Sequence, residues 1–89
     1  MIVRIDKSFE KDVNKIKDKS FHLKIADCIE QIMTIEQISS IKNLKKLKGA
    51  ENFYRIRIGE YRLGILIEND SITFIRCLHR KDIYKYFPR

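Results

Sequence analysis

Three arginines fall within the stretch YRIRIGEYR, residues 54–62: Arg55, Arg57 and Arg62. A fourth, Arg80, follows an apolar run that ends at His79, and Tyr84 comes shortly after it. In an extended chain, side chains return to the same side every second residue, about 6.6 Å apart. Arg55 and Arg57 are therefore expected to leave one face of a strand together, with Arg62 close by across a tight turn and Arg80 within reach. Like charges gathered this way repel one another unless an anion fills the space between them. The planar guanidinium fork suits phosphate oxygens, which it can bind through two parallel hydrogen bonds.

Such a cluster can also support chemistry on RNA. Cleavage needs a proton taken from a 2'-hydroxyl, stabilisation of the charge that builds on the phosphorus centre, and a proton for the departing 5'-oxygen. Arg55, Arg57, Arg62 and Arg80 suit the second need. His79 and Tyr84 are the available proton handlers. His79 reads equally well as a satisfied residue at the end of an apolar strand. Tyr84 can stack on a base or pin the tail. Arginines on a sheet face can instead pair with Glu51, Glu60, Glu68 or Asp82, although the acids in this half are too few for the whole set.

The elements that must position these residues follow from periodicity. MIVRI (1–5) reads as a short strand, with Asp6 or Ser8 as the cap of a helix through Phe9, Val13 and Ile16. Ser20 offers a second cap, or a bend. A longer helix then carries an apolar stripe of Phe21, Ile25, Cys28, Ile29, Ile32 and Met33, and is expected to end near Ile38. NLKKLKGAEN (43–52) reads as a connection anchored by Leu44 and Leu47, with Gly49 at a turn. FYRIRI, YRLGILIE and SITFIRCLH alternate as three strands of an antiparallel meander, joined at Gly59-Glu60 and Asn69-Asp70. The third strand is apolar on both sides and is expected to be central. Its sides are Ile72, Phe74, Arg76, Leu78 and Thr73, Ile75, Cys77, His79. RKDIYKYFPR closes the chain as a short helix or tail, with Tyr86 and Phe87 holding it down. The sum is one α+β domain over residues 1–89: an N-terminal strand, a helical hairpin and a three-stranded meander in one sheet. The helices cover one face, and the other carries the arginines.

Composition agrees with an anionic partner. The chain of 89 residues has 19 Lys and Arg against 12 Asp and Glu, and its net charge of +7 lies wholly in the second half. Nucleic acid is the first candidate, with Lys42, Lys45, Lys46, Lys48, Arg76, Lys81 and Lys85 as further RNA contacts. His22, among lysines, reads as a surface residue. Cys28 and Cys77 have no metal-ligand spacing and read as free, buried thiols. No metal or other cofactor is expected. The chain shows no Walker loop, dinucleotide fingerprint, HExxH or helix-turn-helix. It also lacks a run apolar enough to cross a membrane and a secretion-like leader, so a cytoplasmic location is expected.

KKLKGAENFYRIRIGEYRLGILI and FIRCLHRKDIYKYF resemble the RelE/ParE family of toxins from bacterial and archaeal toxin–antitoxin pairs. The resemblance implies a helical hairpin on a four-stranded sheet. For the RelE branch it implies a metal-independent, ribosome-dependent endoribonuclease acting on messenger RNA in the aminoacyl site. The family's paired basic positions fall on Arg55 and Arg57, the next strand's arginine on Arg62, and the tail's arginine and tyrosine on Arg80 and Tyr84. Some relatives have lysines on the second strand, one of them thought to act as base. An arginine stays protonated, which moves that role toward His79 or Tyr84. The resemblance also implies a cognate antitoxin that covers the basic face, and contact with DNA only through that antitoxin. Two other activities fit the same fold: ParE-like inhibition of DNA gyrase, and binding of RNA or antitoxin without cleavage.

Overall fold

The structure, a computed structural model, describes residues 1–88. The chain runs β1 (Ile2–Ile5), α1 (Lys7–Lys15), α2 (Lys19–Thr34), a 3-10 turn (Ile38–Ser40), β2 (Leu44–Lys46), β3 (Phe53–Ile58), β4 (Tyr61–Glu68), β5 (Ser71–His79) and α3 (Ile83–Tyr86). One five-stranded sheet has the order β1-β5-β4-β3-β2. β1 lies parallel to β5, with Ile2 beside Ser71 and Ile5 beside Phe74, and the other pairs are antiparallel. The α+β class and the element order agree with expectation. The sheet has one strand more, because Leu44–Lys46 pairs with β3.

Each helix begins at an aspartate. Asp6 accepts the Ser8 amide above α1, and Asp18 accepts the Ser20 amide above α2, satisfying donors that the first helical turn leaves free. Asp18, not Ser20, is therefore the second cap, and Ser20 donates its hydroxyl to it at 2.7 Å. α2 stops at Thr34 and the chain tightens into the 3-10 turn, so the helix is shorter than the apolar stripe suggested. Met33 lies outside the buried stripe, at 57% exposure. His22 is half-buried rather than on the surface, with Nε2 2.6 Å from the carbonyl of Ile16 at the end of α1.

The main core lies between the helices and one sheet face. Phe9, Phe21, Ile25 and Ile32 meet Ile56, Leu63, Ile65, Ile67, Ile72, Phe74 and Cys77. A smaller core sits on the opposite face, where Leu47, Ile83 and Phe87 pack with Phe53, Ile75 and Leu78. Phe87 rests on Gly64, where a Cβ would come within 2.8 Å of its ring. The tail thus covers part of the second face and leaves the rest open. Phe87 holds it down; Tyr86 is 52% exposed and does not.

β5 departs from simple alternation. Gly64 faces Arg76 and Ile65 faces Phe74, so Ile75 is an extra residue at a bulge. Cys77 and His79 therefore share a face with Ile72 and Phe74, while Leu78 joins Ile75 on the other. β5 is an interior strand, as expected, with β1 and β4 on its two sides; β4 is the middle strand of the five, and β1 flanks β5 only as far as Phe74. Beyond that point helix α1 satisfies the bare edge. Ser8 Oγ donates to the Ile75 carbonyl, and Asp12 Oδ2 accepts the Cys77 amide at 2.9 Å.

Candidate functional site

The β3–β4 hairpin supplies the centre of the basic face. Arg57 stands directly opposite Arg62, Arg55 is opposite Gly64, and Lys45 of β2 is opposite Arg55. All four leave the sheet on the side away from the helices. Gly59, at φ +56°, makes the tight turn that brings the two strands back together. At a glycine this left-handed backbone has no Cβ clash.

Local hydrogen bonds hold the guanidinium groups. Arg55 Nη1 donates to the Asn43 carbonyl at 2.9 Å, and Arg57 Nη2 to Asn43 Oδ1 at 3.4 Å. Arg62 Nη1 donates to the carbonyls of Gly59 at 2.9 Å and Tyr61 at 3.0 Å. Arg55 Nε is buried with no hydrogen-bond partner, a cost of about 1–3 kcal/mol. Among the described residues, Arg55, Arg57 and Arg62 form no ion pair.

Arg62 is the electrostatic centre. Burial first, then the like charges of Arg55 and Arg57, push its guanidinium below the ordinary arginine value; Arg80 adds to the push, and Tyr84 acts against it. The structure thus brings Arg55, Arg57, Arg62, Arg80 and Tyr84 into one neighbourhood. Tyr84, on α3, is 62% exposed there. Arg80 is the one member with a carboxylate: its Nε lies 2.6 Å from Glu60 Oε2, and its amide donates to the Glu60 carbonyl at 2.8 Å. Both side chains are more than half exposed, and a pair this open to water is easily exchanged for another anion.

The remaining expected residues divide. Lys42 lines a cleft beside the hairpin together with Arg57, Arg62 and Arg80. Lys48, Lys81 and Lys85 are exposed. Lys46 stands opposite Tyr54 and so belongs to the helix side. Arg76 is not a free RNA contact. Its Nε and Nη2 bind the buried Asp12 at 2.7 and 3.2 Å, and this hydrogen bonding raises its pKa. His79 also lies apart from the arginines. It is registered with Tyr61 on the helix side, its ring meets the Tyr61 ring edge-on at 5.7 Å, and Nδ1 accepts the Lys81 amide at 3.2 Å. Cys28 and Cys77 are free thiols, and burial pushes Cys77 up to about 12. Asn43 is the partner that sequence patterning did not name, and Glu60 is the one of the four offered acids that pairs with a member of the cluster.

Among the described residues, no group of three or more His, Cys, Asp or Glu could hold a metal. Nor is any helix long and apolar enough to cross a membrane.

With this geometry in view, relatives can be compared. The family model for the ParE toxin of the type II toxin-antitoxin system parDE matches residues 3–84. Toxin RelE3 of Methanocaldococcus jannaschii is 42% identical over 89 residues, covering 99% of this chain and 100% of that protein. The toxin in the crystal structure of the RelB-RelE antitoxin-toxin complex from Methanococcus jannaschii superposes with a TM-score of 0.81 at 39% identity, over 96% of this chain and 99% of that one. A chain of the Mycobacterium tuberculosis RelBE2 complex shares the fold, with a TM-score of 0.69 at 21% identity over 91% and 92% of the two chains. The chain belongs to the RelE/ParE family of toxins of type II toxin–antitoxin systems. Within that family its relatives and structural match lie on the RelE-like side.

Proposed function

We propose that this chain is a ribosome-dependent, metal-independent endoribonuclease that cleaves messenger RNA in the aminoacyl site, in the cytoplasm. The observation that carries this reading is the set of guanidinium groups around Arg62, three of which have no carboxylate of their own. Arg55, Arg57 and Arg62 would hold the non-bridging oxygens of one phosphodiester. Arg80 would join them by leaving Glu60. The 2'-oxygen attacks phosphorus, the bond to the 5'-oxygen breaks, and the products are a 2',3'-cyclic phosphate and a 5'-hydroxyl. One proton leaves the 2'-hydroxyl and one reaches the 5'-oxygen. Tyr84 suits proton handling better than His79, because its charge bears on Arg62 while the His79 ring is engaged with Tyr61 and the Lys81 amide. The lysines at 42, 45, 48, 81 and 85 would guide the strand.

The partner would be a cognate antitoxin, as the RelB-RelE complex of the similar toxin suggests. Contact with DNA would come only through it. The test is mapping of messenger ends on purified translating ribosomes, with the parent protein beside Arg62→Ala and Arg80→Ala. New ends at codon positions, greatly reduced in both variants, are expected. Messenger left whole by the parent protein would overturn the reading.

A second reading, inhibition of DNA gyrase, draws on the ParE description of the matching family model. Loss of supercoiling activity by purified gyrase, with messenger intact, would favour it. Neither effect would leave a chain that binds RNA or antitoxin alone.

A further inference from the structure

The hairpin arginines also form one end of the cleft beside them. This cleft, of about 850 Å³, runs between α2, the chain that follows it and the β3–β4 hairpin. Its size falls within the range of about 300–1,000 Å³ common for small-molecule sites. Cys28, Ile35 and Ile41 give its walls apolar surface, and Asp27 and Gln31 of α2 bring polar groups to the same wall. Arg57, Arg62 and Arg80 at the hairpin end, and Lys24, Asp27 and Gln31 of α2, are therefore on one continuous cavity, with Arg55 outside it. Phosphate needs alone do not account for it: an anion site requires the guanidinium end but neither the apolar wall nor a carboxylate.

We infer that the cleft takes one nucleotide of the bound strand, with its phosphate at the arginine end and its base against Cys28, Ile35 and Ile41. Asp27 and Gln31 then meet the polar edge of the base. A carboxylate accepts hydrogen bonds and donates none, so Asp27 selects bases with an exocyclic amine or a ring N–H beside one, guanine above all, and disfavours uracil. The apolar wall replaces the stacking partner that splayed-out bases require in single-strand recognition. The assignment of the strand as RNA rests on the ribonuclease reading above, whereas the nucleotide cleft itself rests on its lining.

The experiment uses the full chain labelled with ¹⁵N and titrated with GMP, UMP and inorganic phosphate. GMP is expected to move the amides of Cys28, Gln31 and Ile35 together with the Arg62 side-chain signal; phosphate moves only the arginine end. Asp27→Asn is expected to weaken GMP about tenfold and to leave phosphate unchanged. Asp27 is exposed, so the variant keeps its fold, as its dispersed spectrum would confirm. Gln31→Ala, also on the surface of α2, gives an independent check through a smaller loss of GMP affinity. GMP and phosphate perturbing the same signals would overturn the inference, and so would a GMP preference over UMP unchanged by Asp27→Asn. Nucleotides filling the cleft while ribosome-bound messenger stays whole would refute the ribonuclease reading and leave the cleft standing. Cleavage without any response from α2 would do the reverse.

Discussion

Arg62 sits where three other guanidinium groups act on it, yet its own hydrogen bonds go only to carbonyls of the hairpin that carries it. Replacing it removes little packing. Arg62→Ala is expected to slow single-turnover cleavage about a hundredfold, the usual cost of one lost transition-state donor. Its urea midpoint should stay close to that of the parent. Tyr84→Phe keeps the ring and loses only the hydroxyl, and a slowing of about a hundredfold is expected if it handles a proton. His79→Gln is expected to cleave within a few-fold of the parent, since the imidazole is engaged with Tyr61 and the Lys81 amide. A pH–rate profile altered by His79→Gln and untouched by Tyr84→Phe would reverse these roles. At this scale the sequence was informative about Arg55 and Arg57, because a two-residue period fixes the side they share. It misled on Arg76. No residue type announces the bulge at Ile75, and the Asp12 that captures Arg76 lies more than sixty positions away.

Strand β2 shows why elements are harder to read than residues. Leu44–Lys46 has only three residues, carries two lysines and has no partner on one side. Alone it resembles a solvated linker; it becomes a strand because β3 offers it an edge. The end of α2 is hidden in the sequence for a related reason, since Ile35 and Ile38 continue the apolar pattern beyond the helix that first carries it. The start of α1 is clearer, because Asp6 before a helical run has a direct backbone partner, whereas at α2 Ser20 competes in the pattern with Asp18, the actual cap. Hydrogen bonds from Ser8 and Ser20 lower the pKa values of Asp6 and Asp18 below 3.8. A depressed carboxylate stabilises the fold above its unfolded pKa, and that stabilisation is lost as pH falls through the folded value. Stability is therefore expected to decline below about pH 3.8, and an Asp6→Asn, Asp18→Asn double variant should show a flatter acid limb in urea titrations. The tail is equally testable. Gly64→Ala places a methyl against Phe87, and overpacking of this kind costs about 1–3 kcal/mol. Denaturation curves should show the loss, and cleavage should fall with it because α3 carries Tyr84 away from Arg62.

Over the whole molecule, charge and topology set the behaviour. On a chain of net charge +7, the four arginines proposed to bind phosphate imply strongly salt-dependent association. For a non-cleavable single-stranded oligoribonucleotide, the slope of log K against log salt is expected to be about −3. Fluorescence anisotropy across a salt series measures it, and a slope near zero would deny the phosphate contacts. The class of fold was legible in the order of patterns, because strand, two helices and a meander leave few ways to bury one apolar face. The pairing of β1 with β5 was not, since nothing local in Ile2–Ile5 names a partner near the opposite end of the chain. That pairing also governs when the protein can begin to act. β1 emerges first during synthesis and waits for Ser71–Phe74, and Arg80 and Tyr84 emerge later still. A growing polypeptide of this topology has no finished arginine cluster before those residues emerge, so under the proposed ribonuclease reading the machine translating it is spared until then.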